Sequence, residues 1–376
     1  MKVLVAGDFC QRYRVDTAIR NNQFGALFDE IKPTIASADY SIVNFEFPIV
    51  SPGVSPRPIP KCGPNLQGTI ESVLAIKYAG FKCCTLSNNH IFDQGEECCL
   101  DTKNVMQREG IDVVGVGANL AEAGTILYKR IGKETIAIIN CCEHEFSIAT
   151  KDTAGANPLN PIRQFYSIKE ARENADYVLV IVHGGHEHYQ LPSCRMQETY
   201  RFFIDAGADA VINGHQHCYS GYEEYKDKVI IYGLGNFCFD NPKYNDASWN
   251  EGYMTMLEFD NGLVKIDRLY PYVQCNDVVG VHPINDSDFH TRINKLNEII
   301  SSVEYLQKEE VNYYSKSAKQ ILGLYQPYQN RLFKKLYNMG LLPSAVSKKR
   351  LLSIWNFIEC ESHRDKQLFA FRNHFK

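Results

Sequence analysis

The amino-acid sequence predicts an α/β protein with mixed sheets in a layered core, followed by an all-helical C-terminal extension. Short apolar runs alternate with helical periodicities over residues 1–275, and some runs are separated only by a turn. Residues 285–376 have helical periods and no strand pattern. Because 376 residues exceed the usual size of one hydrophobic core, we expect one domain over 1–275 and a helical extension over 285–376.

The predicted elements follow one another as strand, polar turn and helix. Strands are recognised as short apolar or alternating runs that end in polar residues or glycine, and helices by apolar residues at a period of 3.6. The predicted strands lie at residues 3–6, 40–46, 81–86, 113–116, 125–130, 135–140, 177–182, 209–214, 228–232, 251–259 and 263–272. The predicted helices lie at residues 22–32, 65–78, 96–109, 167–174, 196–206, 289–307, 317–322, 331–336 and 347–357.

Prolines mark two further features of the predicted core. Pro33 is expected to end the helix at 22–32, because proline cannot continue a helix. Residues 48–64 contain six prolines and two glycines, which excludes regular structure. This segment is therefore predicted to be a long ordered loop over a site or at its rim.

Composition and charge restrict the class of protein. Hydrophobic residues make up 44% of the chain and charged residues 22%, which provides for a core and gives no sign of disorder. The net charge of −4 does not predict a nucleic-acid partner. The charge is uneven, because residues 331–376 contain ten Lys or Arg and three Asp or Glu. A basic tail thus follows an acidic body.

The cysteines and the first residues indicate a compartment. Thirteen cysteines, an odd number, occur in a long chain with three adjacent pairs, which indicates free thiols that pack as small core residues in a reducing environment. No CxxC pair is present, so a structural zinc site is not expected. The N-terminus becomes polar too soon for a signal peptide, and no window approaches the roughly 20 apolar residues of a membrane span. We therefore expect a cytoplasmic protein.

Polar side chains with metal-binding chemistry recur where the predicted strands end. The carboxyl ends of strands in α/β sheets meet at one edge, so these residues are expected to lie close together. Carboxylates with several imidazoles suit a divalent transition metal, and a bridging carboxylate is how proteins hold two such ions. The pattern predicts metal-assisted hydrolysis or group transfer. The residues are Asp8, Glu46, Asn88, Asn89, His90, His183, Glu187, His215, His217 and Asn236.

Each of these residues also has a purely structural alternative. Asp8 could cap the turn that follows its strand, and Asn88 or Asn89 could be left-handed turn residues. The sequence GHQH at residues 214–217 could be a polar turn with solvated histidines. Glu46 is harder to explain in this way, because it stands between two phenylalanines, where an unpaired carboxylate would be costly.

Six motifs together resemble the bacterial capsule-synthesis CapA family, the poly-γ-glutamate capsule proteins. The resemblance covers about residues 1–240 and lies in the order and spacing of the motifs. It implies a four-layer α/β sandwich similar to the calcineurin-like metallophosphoesterases, with a two-metal site. The motifs are Gly7-Asp8, Asn44-Phe-Glu46-Phe-Pro48, the LSNNHIFDQG of residues 86–95, His183-Gly-Gly-His-Glu187, Gly214-His215-Gln-His217 and Tyr232-Gly-Leu-Gly-Asn236-Phe.

The same resemblance implies roles for individual residues. The cofactor would be one or two divalent ions (Mn, Zn, Fe or Mg). His90 would be the general acid that protonates a leaving oxygen, Asp93 would orient His90, and Glu187 would move protons beside the metal. The implied metal ligands are Asp8, Glu46 as the bridging carboxylate, Asn89 as the amide, and His183, His215 and His217 as the imidazoles.

Two features depart from the pattern of these families. Metallophosphoesterases have a histidine two residues after the first aspartate, and this chain has Cys10 there. Either Cys10 is a thiolate metal ligand, or one metal subsite is weakened and a single ion binds. Capsule proteins of this kind are often membrane-anchored or exported, and the sequence predicts neither kind of segment here.

The leading functional hypothesis is a metal-dependent hydrolase or transferase that acts on a phosphoester or related bond in the synthesis of a bacterial surface polymer, polyglutamate or polysaccharide. The alternatives are an amide-bond ligase or hydrolase on polyglutamate-like chains, and a non-catalytic protein that binds a glycan or peptide. Segments 331–337, 348–358 and 369–375 interleave basic and aromatic residues. These helices are expected to dock on the acidic body or a second subunit, with a membrane surface or anionic polymer as alternatives.

Overall fold

The computed structural model describes residues 1–244, 247–285, 287–328 and 330–374. Its strands form two large sheets and one pair of short strands. They are β1 (Lys2–Cys10), β2 (Tyr40–Phe45), β3 (Cys83–Thr85), β4 (Asp112–Val114), β5 (Val116–Gly117), β6 (Leu127–Ile131), β7 (Glu134–Cys142), β8 (Gly155–Ala156), β9 (Tyr177–His183), β10 (Ala210–Gly214), β11 (Tyr222–Tyr225), β12 (Lys228–Ile231), β13 (Asn236–Phe239), β14 (Glu251–Asp260), β15 (Leu263–Gln274) and β16 (Val281–Pro283).

The helices alternate with the strands in the first 250 residues and then follow one another. They are α1 (Tyr13–Arg20), α2 (Phe24–Phe28), α3 (Lys32–Ala36), α4 (Ile70–Ala79), α5 (Glu96–Arg108), α6 (Leu120–Ala123), α7 (Pro161–Asn174), α8 (Cys194–Ala206), α9 (Ala247–Asn250), α10 (Ser287–Ser301), α11 (Val303–Gly323), α12 (Arg331–Asn338), α13 (Lys348–Glu359) and α14 (Glu361–His374). Within the described residues, none of them combines the length and the apolar character needed to cross a bilayer.

The first large sheet has the strand order β16-β15-β14-β1-β2-β3-β4, and β13 pairs with the end of β1. Strands β1 to β4 are parallel, and β14, β15 and β16 continue the sheet as an antiparallel meander. The antiparallel pairing predicted for residues 251–259 and 263–272 is confirmed. In β1, eight of nine residues are buried, because the strand is covered on both faces.

The second large sheet has the order β11-β12-β10-β9-β7-β6. Its four central strands are parallel, and the edge strands β6 and β11 are antiparallel hairpin partners of their neighbours. All seven residues of β9 are buried, as expected for a continuous apolar run in the middle of a sheet.

Three hydrophobic clusters show how the layers stack. One packs α1, α2, α4 and α5 on the outer face of the first sheet, for example through Val73 and Phe28. A second lies between the sheets, where Val5 and Ile42 of the first share a cluster with Ile138 and Leu179 of the second. The third packs α7 and α8 on the outer face of the second sheet. The order helix, sheet, sheet, helix confirms the predicted four-layer sandwich.

Several local predictions differ from the structure. Pro33 was expected to end a helix, but it lies in the first turn of α3, where its missing N–H is not needed. Helix α1 was not predicted, because its eight residues are too few to give a clear period. The Pro-rich segment at 48–64 is irregular, as predicted, and is bonded to the turn at 87–95 through Arg57 N–H to Gln94 O (2.9 Å) and Ile59 N–H to Asp93 O (3.1 Å).

The described chain divides into two compact units, Met1–Leu306 and Gln307–Lys376. Helix α10 belongs to the first unit, because its Phe289 and Ile293 are buried in the cluster between the sheets. The boundary between compact units therefore lies later than residues 275–285, and a separately folding domain over 285–376 stays a prediction. The second unit contains helices, as predicted. Residues 375 and 376, the end of the basic tail, lie outside the described residues.

Within the described part of the chain, none of the thirteen cysteines forms a disulfide bond. The six that stand in adjacent pairs are buried, which confirms that they pack as core residues. They are Cys83, Cys84, Cys98, Cys99, Cys141 and Cys142.

Candidate metal centre

Asp8 is buried in β1 at the point where the strand loses register with its neighbours on both sides. One carboxylate oxygen, Oδ1, accepts a hydrogen bond from Asn44 Nδ2 (2.8 Å), and Oδ2 accepts one from the backbone N–H of His215 (3.1 Å). A Cβ on the preceding Gly7 would lie 1.8 Å from Gly235 O, so only glycine permits this close approach. Both sheets therefore fix the orientation of the Asp8 carboxylate.

Two groups of buried donor residues share Glu46, and Asp8 belongs to one of these groups. Glu46, His183 and His215 form the first group, and Asp8, Glu46 and His217 form the second. Within each group the donor atoms lie within 4.8 Å of one another. These are buried His, Asp and Glu clusters compatible with a divalent metal. Because Glu46 belongs to both groups, it occupies the position that a bridging carboxylate needs.

Glu46 also provides a test of whether these residues suit a cation. The side chain is fully buried just after β2, and neither carboxylate oxygen accepts a hydrogen bond from any described residue. Leaving a carboxylate buried without a partner is costly, so proteins pair such groups or use them to coordinate metals. A divalent cation would satisfy both oxygens, and the residues fit one.

His183, the last residue of β9, lies at the centre of the first group. Its Nε2 is 3.1 Å from His215 Nδ1, 3.1 Å from Asn89 Oδ1 and 3.7 Å from Glu46 Oε1. The four side chains come from three strand ends and from the turn after β3, so they meet at the edge where the parallel strands end. Two imidazoles, one amide oxygen and one carboxylate form a donor set that suits a divalent transition metal.

The turn after β10 presents its two histidines through strained backbone. His215 has φ of +95° and His217 has φ of +56°, a region that residues other than glycine rarely adopt. Two such residues separated by one position cost free energy, which the fold must offset elsewhere. The strain turns both imidazoles inward, where they are nearly buried, so the alternative of solvated histidines in a polar turn is wrong.

His217 is oriented by the polar and aromatic residues around it. Its Nδ1 lies 2.9 Å from Asn236 Oδ1 and 3.8 Å from Asp8 Oδ2. Asn236, the first residue of β13, also donates from Nδ2 to the backbone O of His217 (3.2 Å). The Trp249 ring covers the imidazole at a centroid distance of 4.9 Å. The contact at Nδ1 and the neighbouring Trp249 ring leave the imidazole little freedom to rotate.

His90 lies at the edge of this centre, in the turn after β3. Its Nδ1 is 2.6 Å from Asp93 Oδ2. The other oxygen of Asp93 is 2.5 Å from Lys61 Nζ, and Leu66 N–H donates to Asp93 Oδ2 (2.7 Å). The carboxylate therefore connects His90 to the Pro-rich loop, and the role of Asp93 in orienting a general acid stays a prediction.

Burial shifts the pKa values of the centre toward neutral forms. Loss of solvent raises the pKa of Asp8 to about 6, although Asn44 and His215 oppose the shift by hydrogen bonding. Burial, and then the charge of Asp8, raises the pKa of Glu46 well above its ordinary value. Burial, and then the other imidazoles, lowers the pKa of His183 and His217 well below the ordinary value. Neutral imidazole is the form that binds metal.

The structure separates two of the predicted residues from the donor groups. Cys10 is 1% exposed and packs in the outer cluster of the first sheet, and it belongs to neither of the groups found among the described residues. Burial, and then the negative charge of Glu46, raises the pKa of its thiol well above the ordinary value, which disfavours a thiolate. Glu187 is exposed on the loop after β9, and its charge contributes to the raised pKa of Glu46. Roles for Cys10 and Glu187 stay predictions.

The two asparagines of the turn after β3 differ in what they contact. Asn88 donates from Nδ2 to Phe45 O (2.8 Å) and accepts the His90 N–H (3.1 Å), so it holds the turn. Asn89 faces His183, as described above. Neither asparagine is among the described residues with positive φ, so the alternative of left-handed turn residues is wrong.

Three residues of the centre were not assigned a role from the sequence. Asn44 lies between Asp8 and His183, with Nδ2 3.2 Å from His183 Nδ1, and it stands two residues before Glu46, a spacing that could have indicated it. Glu145 Oε1 lies 3.8 Å from His215 Nε2. Lys61 is the third. The loops that carry Glu145 and Lys61 have no periodicity, so no pattern could have placed them.

Comparisons with known proteins agree with this architecture. The chain is 29% identical over 246 residues to the capsule biosynthesis protein CapA of Bacillus anthracis, a match that covers 64% of this chain and 60% of that protein. It is 31% identical over 237 residues to the PGA biosynthesis protein CapA of Bacillus subtilis, covering 62% of each. The chain thus spans less than two thirds of the length of these relatives.

Among solved structures, the calcineurin-like phosphoesterase YfkN from Bacillus subtilis is 14% identical, with a TM-score of 0.39 over 82% of this chain and 98% of that one. This likeness is weak, and the assignment of a family depends on the sequence matches. The model of the family described as bacterial capsule synthesis protein PGA_cap matches residues 2–241. Because this match covers more than half of the chain and every strand that carries a metal-competent residue, the chain belongs to the bacterial capsule synthesis protein family, PGA_cap.

Proposed function

We propose that this protein is a metal-dependent hydrolase or group-transfer enzyme that acts on a phosphoester in the synthesis or modification of a bacterial surface polymer. The observation that carries the proposal is the pair of buried donor groups that share Glu46, with His90 beside them. A site that only bound a polymer would have no need of a buried carboxylate without hydrogen-bond partners.

The metal would be held by residues from both sheets. Asp8, Glu46 and His217 form one donor set, and His183 and His215 join Glu46 in the other, with the Asn89 amide oxygen beside them. A divalent ion held by these donors would act as a Lewis acid toward an oxygen of the scissile group. Asn44 and Asn236 would fix the orientation of Asp8 and His217, in the way that groups outside a metal's own ligands commonly do.

Proton transfer would be the task of His90. Asp93 holds Nδ1, so Nε2 is the nitrogen that can give a proton to the leaving oxygen. Burial lowers the pKa of His90 from its ordinary value, although Asp93 opposes the shift. A bound anionic substrate would stabilise the protonated ring, so that His90 would become an acid only when the site is filled.

The polymer context is supported by the family and by the names of the relatives. The matched proteins are a capsule biosynthesis protein and a PGA biosynthesis protein. Their names favour a substrate that is a precursor or a product in the synthesis of such a polymer. Because the relatives are longer than the matched region, a direct assay has to identify the bond on which this protein acts.

The proposal can be tested with chain that has been stripped by a chelator and reloaded separately with Mn²⁺, Zn²⁺, Fe²⁺ or Mg²⁺. Phosphomonoesters, phosphodiesters, pyrophosphates and γ-glutamyl peptides would be offered in turn. We expect turnover of a phosphoester that Asp8→Ala abolishes together with metal binding, and that His90→Ala lowers by about 10²- to 10⁴-fold while metal binding is kept.

Matched controls are Asp152→Ala and His290→Ala, which change exposed residues of the same types. Neither should alter turnover or metal content. Turnover of γ-glutamyl peptides alone would favour an amide-cleaving enzyme instead. Metal-loaded chain that turns over none of the four substrate classes would overturn the proposal and favour a binding protein.

A further inference from the structure

The second compact unit, Gln307–Lys376, is strongly basic and carries many exposed apolar side chains. Its sequence contains thirteen Lys or Arg and five Asp or Glu, whereas the whole chain has a net charge of −4. Large apolar side chains exposed in this unit include Leu324 (74%), Leu341 (65%), Leu332 (61%) and Trp355 (61%). Exposed apolar area of this extent is uncommon on a monomeric protein and marks an interaction surface.

The apolar side chains are concentrated around one groove within this unit. The groove has a volume of about 520 Å³ and lies between the end of α11 and the length of α13. Lys348 lies at its rim, and Lys349 and Arg350 follow in the first turn of α13. The apolar lining residues are Ile321, Leu322, Tyr325, Leu351, Leu352, Ile354, Trp355 and Ile358.

Helix α12 repeats the same combination of side chains. Leu332 and Phe333 are exposed, at 61% and 49%, and are followed directly by the exposed Lys334 and Lys335. Phe357 in α13 is also 41% exposed. Basic residues next to exposed aromatic and aliphatic side chains on short helices are typical of segments that lie in the interface of a bilayer.

From this combination of charge and apolar exposure we infer that the unit Gln307–Lys376 binds the surface of a bilayer rich in anionic phospholipids. Lys348, Lys349 and Arg350 would contact lipid phosphates, and the groove beside them would take apolar parts of the lipid. The residues of this surface come after the matched family region, residues 2–241, in the sequence. Lipid binding by this unit would be independent of any activity of the metal centre.

Charge complementarity favours a bilayer over other occupants. A second copy of this chain that paired through the same unit would bring together two units with an excess of eight positive charges each, which opposes association. A hydrated anionic polymer could neutralise the charge but would leave the apolar groove in water. Of these three occupants, an anionic phospholipid surface alone supplies negative charge and apolar contact together.

The experiment uses the full chain and flotation with vesicles of two compositions, phosphatidylcholine alone and phosphatidylcholine mixed with phosphatidylglycerol. Trp355 provides a direct signal, because the chain has two tryptophans and Trp249 is only 3% exposed. We expect binding to the mixed vesicles alone, weakened by salt, with a blue shift of Trp355 fluorescence. A Trp249→Phe background isolates this signal.

Two variants separate the contributions of charge and apolar contact. Reversal of Lys348, Lys349 and Arg350 to Glu should weaken binding by at least about 100-fold, because each basic residue at the surface contributes about a factor of five. Leu352→Ser should reduce the blue shift while the salt dependence remains. The matched control reverses three exposed lysines of the first unit, Lys77, Lys133 and Lys151, and should leave binding unchanged.

Each remaining result would overturn the inference. Absence of binding by folded wild-type chain would exclude a lipid surface, and equal binding to neutral vesicles would exclude the role of charge. A blue-shifted Trp355 signal without vesicles, together with sedimentation at the mass of a dimer, would assign the groove to a second copy. Circular dichroism of each variant would show that its helices are retained.

Discussion

Lys61 Nζ lies 2.5 Å from Asp93 Oδ1, and the two side chains are 2% and 0% exposed. The same ammonium is 3.2 Å from His90 Nδ1 and 3.4 Å from Asn89 O. A lysine from an irregular loop thus provides a buried positive charge at the turn that carries His90. This pair joins the Pro-rich loop to the turn that carries His90.

Lys61→Met is therefore expected to lower the free energy of unfolding by about 3 kcal/mol, because it leaves the Asp93 carboxylate buried without its counter-ion. Urea denaturation would measure the change. Lys77→Met is the matched control, since Lys77 forms an ion pair with Glu109 at 3.0 Å but is 53% exposed, and it should change stability by less than about 1 kcal/mol. Equal effects of the two substitutions would contradict a special role for the buried pair.

Glu46→Gln is expected to stabilise the chelator-treated chain. The pKa of Glu46 is raised by burial above its ordinary value of 4.5, so the folded chain holds this proton more tightly than the unfolded chain. The corresponding stability is fully present below pH 4.5 and is lost as the pH rises toward the folded pKa. Glutamine has no proton to lose, so the advantage of the variant should grow with pH above 4.5 in urea denaturation.

The sign of this effect should reverse when metal is added. Wild-type chain gains stability from any ligand that binds the folded state, about 2.7 kcal/mol at 100 times the dissociation constant, and the variant loses the shared ligand. Glu173→Gln, at an exposed position, should respond like wild type. A Glu46→Gln chain that is stabilised by Mn²⁺ or Zn²⁺ as strongly as wild type would contradict the assignment of Glu46.

How much of the centre the sequence could predict depends on where each residue stands. The positions of Glu46, His183 and His215 could be predicted because each follows or ends a strand, and Asp8 because it lies near the end of β1; parallel strands end at one edge of a sheet. Lys61 could not be predicted as a partner of Asp93, since the two are 32 residues apart and the Pro-rich loop that carries Lys61 has no period. The hydrophobic pattern of the sequence thus predicts where the strands end, whereas the contacts that loop residues make depend on tertiary packing.

The fold shows the same division. The continuous apolar run of β9 predicted a central strand, and the helical period of residues 96–109 predicted α5. The pair β5 and β8 was not predicted, because two-residue strands carry no alternation. Similarly, α7 begins at Pro161, six residues before the predicted start, since Asn160 caps it with bonds to the N–H groups of Ile162 and Arg163.

Cys10→Ala is expected to leave metal affinity and stoichiometry unchanged. The thiol is buried in the core, and its raised pKa keeps it protonated, so it would not compete with the imidazoles as a ligand. Loading with Co²⁺ checks this, because a thiolate ligand gives a charge-transfer absorption that the other donors lack. Cys84→Ala, which changes a buried cysteine of the same cluster, is the control for loss of packing. A charge-transfer band that only Cys10→Ala removes would make Cys10 a ligand.

His90→Gln should slow the proposed reaction to a degree that depends on the leaving group. A general acid matters little for a nitrophenyl ester, whose leaving oxygen is already stable as an anion, and matters most for an alkyl ester. We expect a loss of about 10²- to 10⁴-fold in kcat on alkyl esters and a much smaller loss on nitrophenyl esters. Because burial lowers the pKa of His90 below its ordinary value of 6.5, the wild-type rate on alkyl esters should fall as pH rises through this lowered pKa.

Asp93→Asn should show the same selectivity more weakly, since it removes the charge beside Nδ1 but keeps the imidazole. Equal losses on both ester classes would mean that His90 has a structural role, and His290→Gln, at an exposed position, should affect neither class.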